Sequence, residues 1–220
     1  MKKHLIIIAA LMCAFVCVLS ACGSAGNTPA VTSGGKGQTE NGGNAGDSGT
    51  GGSTGITGTE GGKILVAYFS CTGNTKAVAE KIAEITGGEL YEIVPAEPYT
   101  SADLNYNDDN CRANREMNDP SSRPAIGSGE IDISAYDTVI LGYPIWWGTC
   151  PRIIGTFLDT YDLSGKTVLP FCTSGGSGVS ESVSDIKAAE PGADVREGLR
   201  VSGAGDRNLE GWLRGGGAAE

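Results

Sequence analysis

The run Ile64-Leu65-Val66-Ala67-Tyr68-Phe69 constrains this chain more than any other segment. A strand with one wet face alternates apolar and polar residues. This run is apolar throughout, so it reads as a parallel strand covered on both faces. Parallel strands need a crossover element between them, and the sequence supplies one at once. Residues 74–86 place Val78, Ile82 and Ile85 at helical spacing, and Gly87-Gly88 closes the helix as a C-cap. The alternation continues with strands predicted over 90–94, 136–143, 166–173 and 195–201, and helices over 153–163, 180–189 and 208–213. Five strands with intervening helices define an α/β fold, an open doubly wound five-stranded parallel sheet with helices on both faces. Two stretches fit this pattern poorly. Residues 95–135 carry four prolines and no clean period, with 110–118 as the only helix candidate. Pro170 lies inside the fourth strand, where it lacks a ladder donor and predicts an early end to pairing.

The amino terminus has a different texture. Lys2 and Lys3 precede an unbroken apolar run over residues 5–18, shorter than the roughly 17–25 residues of a membrane span. Such a run is the core of an export signal. Leu19-Ser20-Ala21-Cys22 follows it and resembles the lipobox of bacterial lipoproteins. The resemblance implies cleavage before Cys22 and diacylglycerol on its sulfur. An uncleaved anchor helix, or an ordinary signal with an incidental cysteine, is the alternative. Two acyl chains, at about 0.8 kcal/mol per buried methylene, anchor stably. Residues 23–62 hold 15 of the 35 glycines, with only Val31 and Ile56 large and apolar. They cannot bury enough surface to offset ordering entropy, and read as a flexible tether spanning roughly 35 Å. The expected organisation is a signal peptide (1–21), a lipidated Cys22 with its tether (22–62), and a domain (63–220). The expected location is the outer face of the bacterial cell membrane.

Charge and composition exclude several classes. Lys and Arg number 16 against 26 Asp and Glu, a net charge of −10, which becomes −12 once Lys2 and Lys3 are removed. An acidic surface repels phosphate, so nucleic acid is not an expected partner. The sole histidine, His4, leaves with the signal. A mature chain without imidazole has no His-based triad and no His-ligated zinc. Cys71, Cys111, Cys150 and Cys172 form no CxxC, so neither a redox pair nor a zinc site is suggested. Export permits disulfides, but spacing shows no pairing. Asp103, Asp108, Asp109 and Asp119 could hold a cation or form a solvated loop.

The chemistry-bearing signal is Ser70-Cys71-Thr72-Gly73-Asn74-Thr75, at the junction of the first strand and first helix. Free amides at a helix start carry about half a positive charge and suit an anion. Ser70, Thr72 and Thr75 can each donate to phosphate oxygens, and Gly73 lets the backbone approach closely. The segment has no Lys and is not a Walker loop. It therefore suits a terminal phosphate monoester rather than a nucleoside triphosphate being hydrolysed. A Ser/Thr-rich N-cap turn is the alternative. Two more loops follow strands: Gly142-Tyr143-Pro144-Ile145-Trp146-Trp147-Gly148 and Thr173-Ser174-Gly175-Gly176-Ser177-Gly178. Trp146 and Trp147 can stack on a flat ring for about 0.5–1.5 kcal/mol beyond burial, or serve the core. The glycine-rich loop can offer amides to a polar ring edge, or be an ordinary turn.

Ser70-x-Thr72-Gly73-Asn74-Thr75 after an apolar strand resembles the FMN-phosphate loop of flavodoxins. With the two later loops in order, residues 63–213 are similar to the flavodoxin-like family. The resemblance implies strand order 2-1-3-4-5 and FMN as cofactor. The phosphate would lie on Ser70, Cys71, Thr72, Gly73, Asn74 and Thr75. The ring would lie between Pro144, Ile145, Trp146, Trp147, Gly148 and Thr173, Ser174, Gly175, Gly176, Ser177, Gly178. Binding between the first and third strands is a familiar property of flavodoxin itself. The chemistry would reside on the flavin, with no protein acid or base. Familiar flavodoxins carry an aromatic in the loop that is here 173–178. Tyr106 and Arg112, from the irregular region, are further candidates to reach the ring. The expected function is membrane-tethered electron transfer to redox partner proteins with basic docking surfaces. An acidic protein disfavours negative charge on the reduced cofactor and predicts a low potential. An FMN-dependent NAD(P)H:quinone-type reductase, or a flavin-free surface binding module on the same fold, remain as alternatives.

Overall fold

The computed structural model describes residues 62–220. The expected signal, Cys22 and all but the end of the expected tether lie outside the described residues. The chain runs β1 (Ile64–Tyr68), α1 (Asn74–Thr86), β2 (Glu89–Glu92), α2 (Arg112–Asn118), β3 (Thr138–Pro144), α3 (Arg152–Thr160), β4 (Thr167–Thr173), α4 (Ser180–Ala189), β5 (Asp194–Val195), β6 (Leu199–Val201) and α5 (Leu209–Gly215). All pairings are parallel, in the order β2-β1-β3-β4, and β5 and β6 share the fifth position beside β4. This is the expected five-stranded 2-1-3-4-5 sheet.

The unbroken apolar runs are explained by burial on both faces. Leu65 and Ala67 of β1 face one layer, which includes Ile153, Ile154 and Phe157 of α3 and Val183 and Ile186 of α4. Val66 and Tyr68 face the other, with Val78, Ala79 and Ile82 of α1 and Leu209 and Leu213 of α5. α1 ends where expected: Gly87 adopts φ 67°, and its amide donates to the Ala83 carbonyl. A left-handed residue there needs glycine.

Pro170 does not end the fourth strand, which continues to Thr173 in register with β3. Amides and carbonyls of alternate residues face opposite neighbours. The Val168 carbonyl accepts from Arg196 on the β5 side, so Pro170, two residues on, also presents its donorless nitrogen to that side. The edge strand is interrupted there, between Val195 and Leu199. The missing donor therefore splits the predicted 195–201 strand rather than β4. The third strand begins at Thr138, not 136, because Tyr136 caps a 3-10 turn at Ile133–Ala135.

The irregular crossover is built from long-range polar contacts in place of a long helix. Arg152 donates to the carbonyls of Glu116 and Met117, Thr156 to that of Pro124, and Arg123 pairs with Asp159 at 2.6 Å. These bonds seat α2 and its flanking turns against α3. Among the described residues, no helix is long and apolar enough to cross a membrane.

Candidate functional site

The chain leaves β1 and β3 toward opposite sides of the sheet, and a crevice opens where it parts. A cleft of about 1060 Å³ occupies this place. Ser70, Cys71, Thr72, Asn74 and Thr75 line it from the first loop, Pro144 to Trp147 from the second, and Thr173 to Gly175 from the third. Gly73 caps α1 beside it. Gly148 forms the turn behind Trp147. Gly176, Ser177 and Gly178 are exposed beyond the cleft lining. Most of the expected residues thus converge, and the outer half of the glycine-rich loop does not.

The start of α1 is uncapped by any side chain. Gly73, at φ 84°, is its N-cap, and the first turn contains no acidic residue. Ser70 Oγ accepts from the Gly73 amide at 3.2 Å, ahead of the helix. Ala77 N–H to Gly73 C=O, 3.0 Å, is the first helical bond. The amides of Asn74, Thr75 and Lys76 therefore precede any intrahelical acceptor. The Ser/Thr-rich N-cap alternative is not what forms, and the helix end faces the cleft. Asn74 Nδ2 donates to Thr72 Oγ1 at 3.3 Å, which shapes the exposed rim. Thr75 is only 1% exposed. Its hydroxyl lies 2.8 Å from that of Thr173, so the first and third loops are joined directly.

In the second loop, the Trp146 and Thr149 backbones exchange two hydrogen bonds, at 2.9 and 3.1 Å. Trp147 (φ 48°) and Gly148 (φ 90°) occupy the centre of this tight turn. Both central residues have positive φ, the property of a type I′ turn. Thr149 anchors it to α4 by donating to Asp185 at 2.5 Å. The two tryptophan rings are placed differently. Trp146 packs edge-on against Phe69 and Tyr99, with centroids at 5.6 and 5.3 Å. Trp147 stands out at the lip, perpendicular to Trp146.

Arg112 lies behind the wall and not in it. Its guanidinium pairs with Glu116 at 2.6 Å, donates to the Glu97 carbonyl and sits 4.1 Å over the Tyr99 ring. The Tyr99 hydroxyl donates to Glu116, and burial together with that carboxylate pushes its phenol far above the ordinary range. Cys71 is half-buried, and desolvation pushes its thiol up to about 12, against the opposing pull of Arg112. It stays protonated at neutral pH, so it presents a small polarizable wall and no thiolate. All four described cysteines are free.

Several lining residues escape sequence reasoning. Leu104, Tyr106 and Ala113 enter from the crossover, and Val201 to Ala204 from the loop after β6. Of these only Tyr106 was singled out from sequence. Val201-Ser202-Gly203-Ala204 was findable, since ligands gather at strand carboxyl ends and this loop leaves one. Asp103, Asp108 and Asp119 accept hydrogen bonds from Thr100, Asn110 and Ser121, which caps local turns. No set of three or more His, Cys, Asp or Glu able to hold a metal occurs among the described residues. None of the side chains lining the cleft is charged.

Comparison with known proteins agrees with this fold. A family model described as flavodoxin matches residues 63–215. A candidate flavoprotein of known structure from Bacteroides eggerthii is 49% identical, with TM-score 0.66, covering 70% of this chain and 96% of its own. One from Bacteroides uniformis is 44% identical, with TM-score 0.67 over 70% of this chain and 99% of its own. A Lactobacillus acidophilus flavoprotein solved in complex with FMN is 29% identical, with TM-score 0.52 over 69% of this chain and 98% of its own. No curated protein matches the chain.

Proposed function

Because the chain belongs to the flavodoxin family, we propose that its cleft binds FMN and that the protein transfers electrons through it. One observation carries this reading: an anion-binding helix end without a cap or carboxylate opens into the same uncharged cleft as an aromatic turn. The residues fit the cofactor. Asn74, Thr75 and Lys76 supply free amides, and the hydroxyls of Ser70 and Thr72 stand beside them, where a phosphate monoester would lie. Ile145 and Trp147 on one side, with Ser174 and Gly175 on the other, would flank the ring. The relative solved in complex with FMN supports flavin as the ligand.

Bound FMN would supply one- or two-electron transfer, while the protein positions it and sets its electrostatics. The mature net charge of −12, reached from −10 by loss of Lys2 and Lys3, favours a potential below that of free FMN and steers the domain toward basic partner surfaces.

The test is titration of the full chain with FMN and with riboflavin. FMN fluorescence should be quenched stoichiometrically and survive dialysis, with riboflavin at least about tenfold weaker, since hydrogen bonds to a charged group contribute about 1.5–3 kcal/mol. Equal affinity would remove the phosphate from the loop, and free dialysis of FMN would end the proposal.

Lipid attachment at Cys22 and a place on the outer membrane face belong to the same proposal, and rest on the sequence of residues 1–22. Labelled palmitate should enter the chain in bacteria, and Cys22→Ala should abolish it. Unchanged labelling would exclude this anchor.

A further inference from the structure

The loops that follow β1 and β4 meet through one hydrogen bond, and its direction decides what the cleft offers a ligand. Thr75 Oγ1 and Thr173 Oγ1 lie 2.8 Å apart, and each can act as donor or acceptor. One proton joins them, and the other points elsewhere. Thr173 is the last residue of β4, in register with Pro144 of β3 on one side and Val201 of β6 on the other. The Ile145 amide donates to its carbonyl at 2.9 Å, so its backbone is fixed. Residues two apart on a strand share a face. Thr173 therefore projects with Phe171 toward the α1 side of the sheet.

Burial separates the two hydroxyls. Thr75 is 1% exposed, and among the described residues its hydroxyl has no other hydrogen-bond partner. Thr173 is only partly buried, and it lines the cleft. Were Thr173 the donor, the Thr75 proton would be left inside the wall without an acceptor, and a buried donor left unsatisfied is costly. With Thr75 as donor, that proton is satisfied and the Thr173 proton turns into the cleft. The second arrangement leaves nothing buried unpaired.

We propose that Thr173, and not Thr75, is the threonine whose hydroxyl donates to the FMN phosphate, with Thr75 the positioning residue behind it. The inference rests on the FMN reading above. Thr75 is the second residue of α1, and its amide is among those without an intrahelical acceptor. A hydroxyl 2.8 Å from its side chain stands at the anion-binding end of the helix. A phosphate dianion accepts and does not donate, so it selects the arrangement with the Thr173 proton directed at it and polarises the pair of hydroxyls. The last residue of the 70–75 motif thus serves as a support. The third loop supplies a phosphate contact at its first residue, ahead of the part that flanks the ring.

The test is fluorescence titration of the full chain with FMN and with riboflavin, comparing Thr173→Val, Thr173→Ser and Thr75→Val. Thr173→Val should weaken FMN about tenfold or more, since a hydrogen bond to a charged group is lost. Its riboflavin affinity should stay within about threefold of the unsubstituted chain, which also shows that the fold is kept. Thr173→Ser, which retains the hydroxyl, should hold FMN within about threefold. Thr75→Val should cost FMN only about threefold, through lost orientation of Thr173. A loss in Thr75→Val equal to or greater than that in Thr173→Val overturns the proposal, and returns the contact to the motif residue. Unchanged FMN affinity in Thr173→Val overturns it, as do equal losses of FMN and riboflavin, which would assign Thr173 to the ring or to folding. An unsubstituted chain that does not distinguish FMN from riboflavin would instead sink the parent reading.

Discussion

Asn74→Asp is expected to move two measurements in opposite directions. Asn74 opens α1 and lies in the cleft lining, and the first turn of that helix has no acidic residue. A carboxylate there complements the positive end of the helix and should stabilise the FMN-free protein by about 0.3–1 kcal/mol. For a domain of this size that is a rise of roughly 1–4 °C in Tm. The same carboxylate stands where the phosphate dianion would lie. Like charges brought together cost several kcal/mol, so FMN affinity should fall at least about a hundredfold. Riboflavin, which has no phosphate, should be nearly indifferent to the change. Melting curves and fluorescence titrations on one preparation check all three results. Unchanged FMN affinity would place the phosphate elsewhere.

Gly142→Ala should cost the domain more stability than its single added methyl suggests. Gly142 lies in β3, in register with Tyr68 on one side and Phe171 on the other. A Cβ built on it would overlap the Phe171 ring. That ring is fully buried and backed by Trp212 of α5, at 6.5 Å, so it has no free direction in which to move. Overpacking of this kind costs about 1–3 kcal/mol, and more where the neighbours cannot yield. The expected drop in Tm is roughly 2–12 °C. Phe171→Ala alone should cost about 3–5 kcal/mol through its cavity. Combined, the two substitutions should be less damaging than their sum by at least about 1 kcal/mol, since they share one obstacle. Strict additivity in a denaturant-unfolding cycle would show that the ring is not that obstacle.

Gly142 also shows what the sequence could and could not convey. It opens the motif read as a ring-flanking loop, but its role is to admit Phe171 into the core. Helices were legible from local spacing: α1 and α4 begin and end at the predicted residues, whereas α3, predicted over 153–163, spans Arg152–Thr160. The three site loops were legible for the same reason, since each follows a buried strand. The crossover was not. Tyr99, Arg112, Glu116, Arg152 and Thr156 are joined across up to 36 positions by bonds that no local pattern announces. The positive φ of Trp147 was equally hidden, because a bulky residue is the wrong one from which to expect it.

The parting of the fifth strand opposite Pro170 bears on how the domain behaves in company. An uninterrupted outer strand is a template on which another chain can add its own. Here one rim of the sheet offers two residues, then a gap, then three. At the other rim, Gly127 and Ser128 already bond to the end of β2 and the residues just beyond it. Neither border can accept a long incoming strand, so the domain is guarded against zippering into fibres.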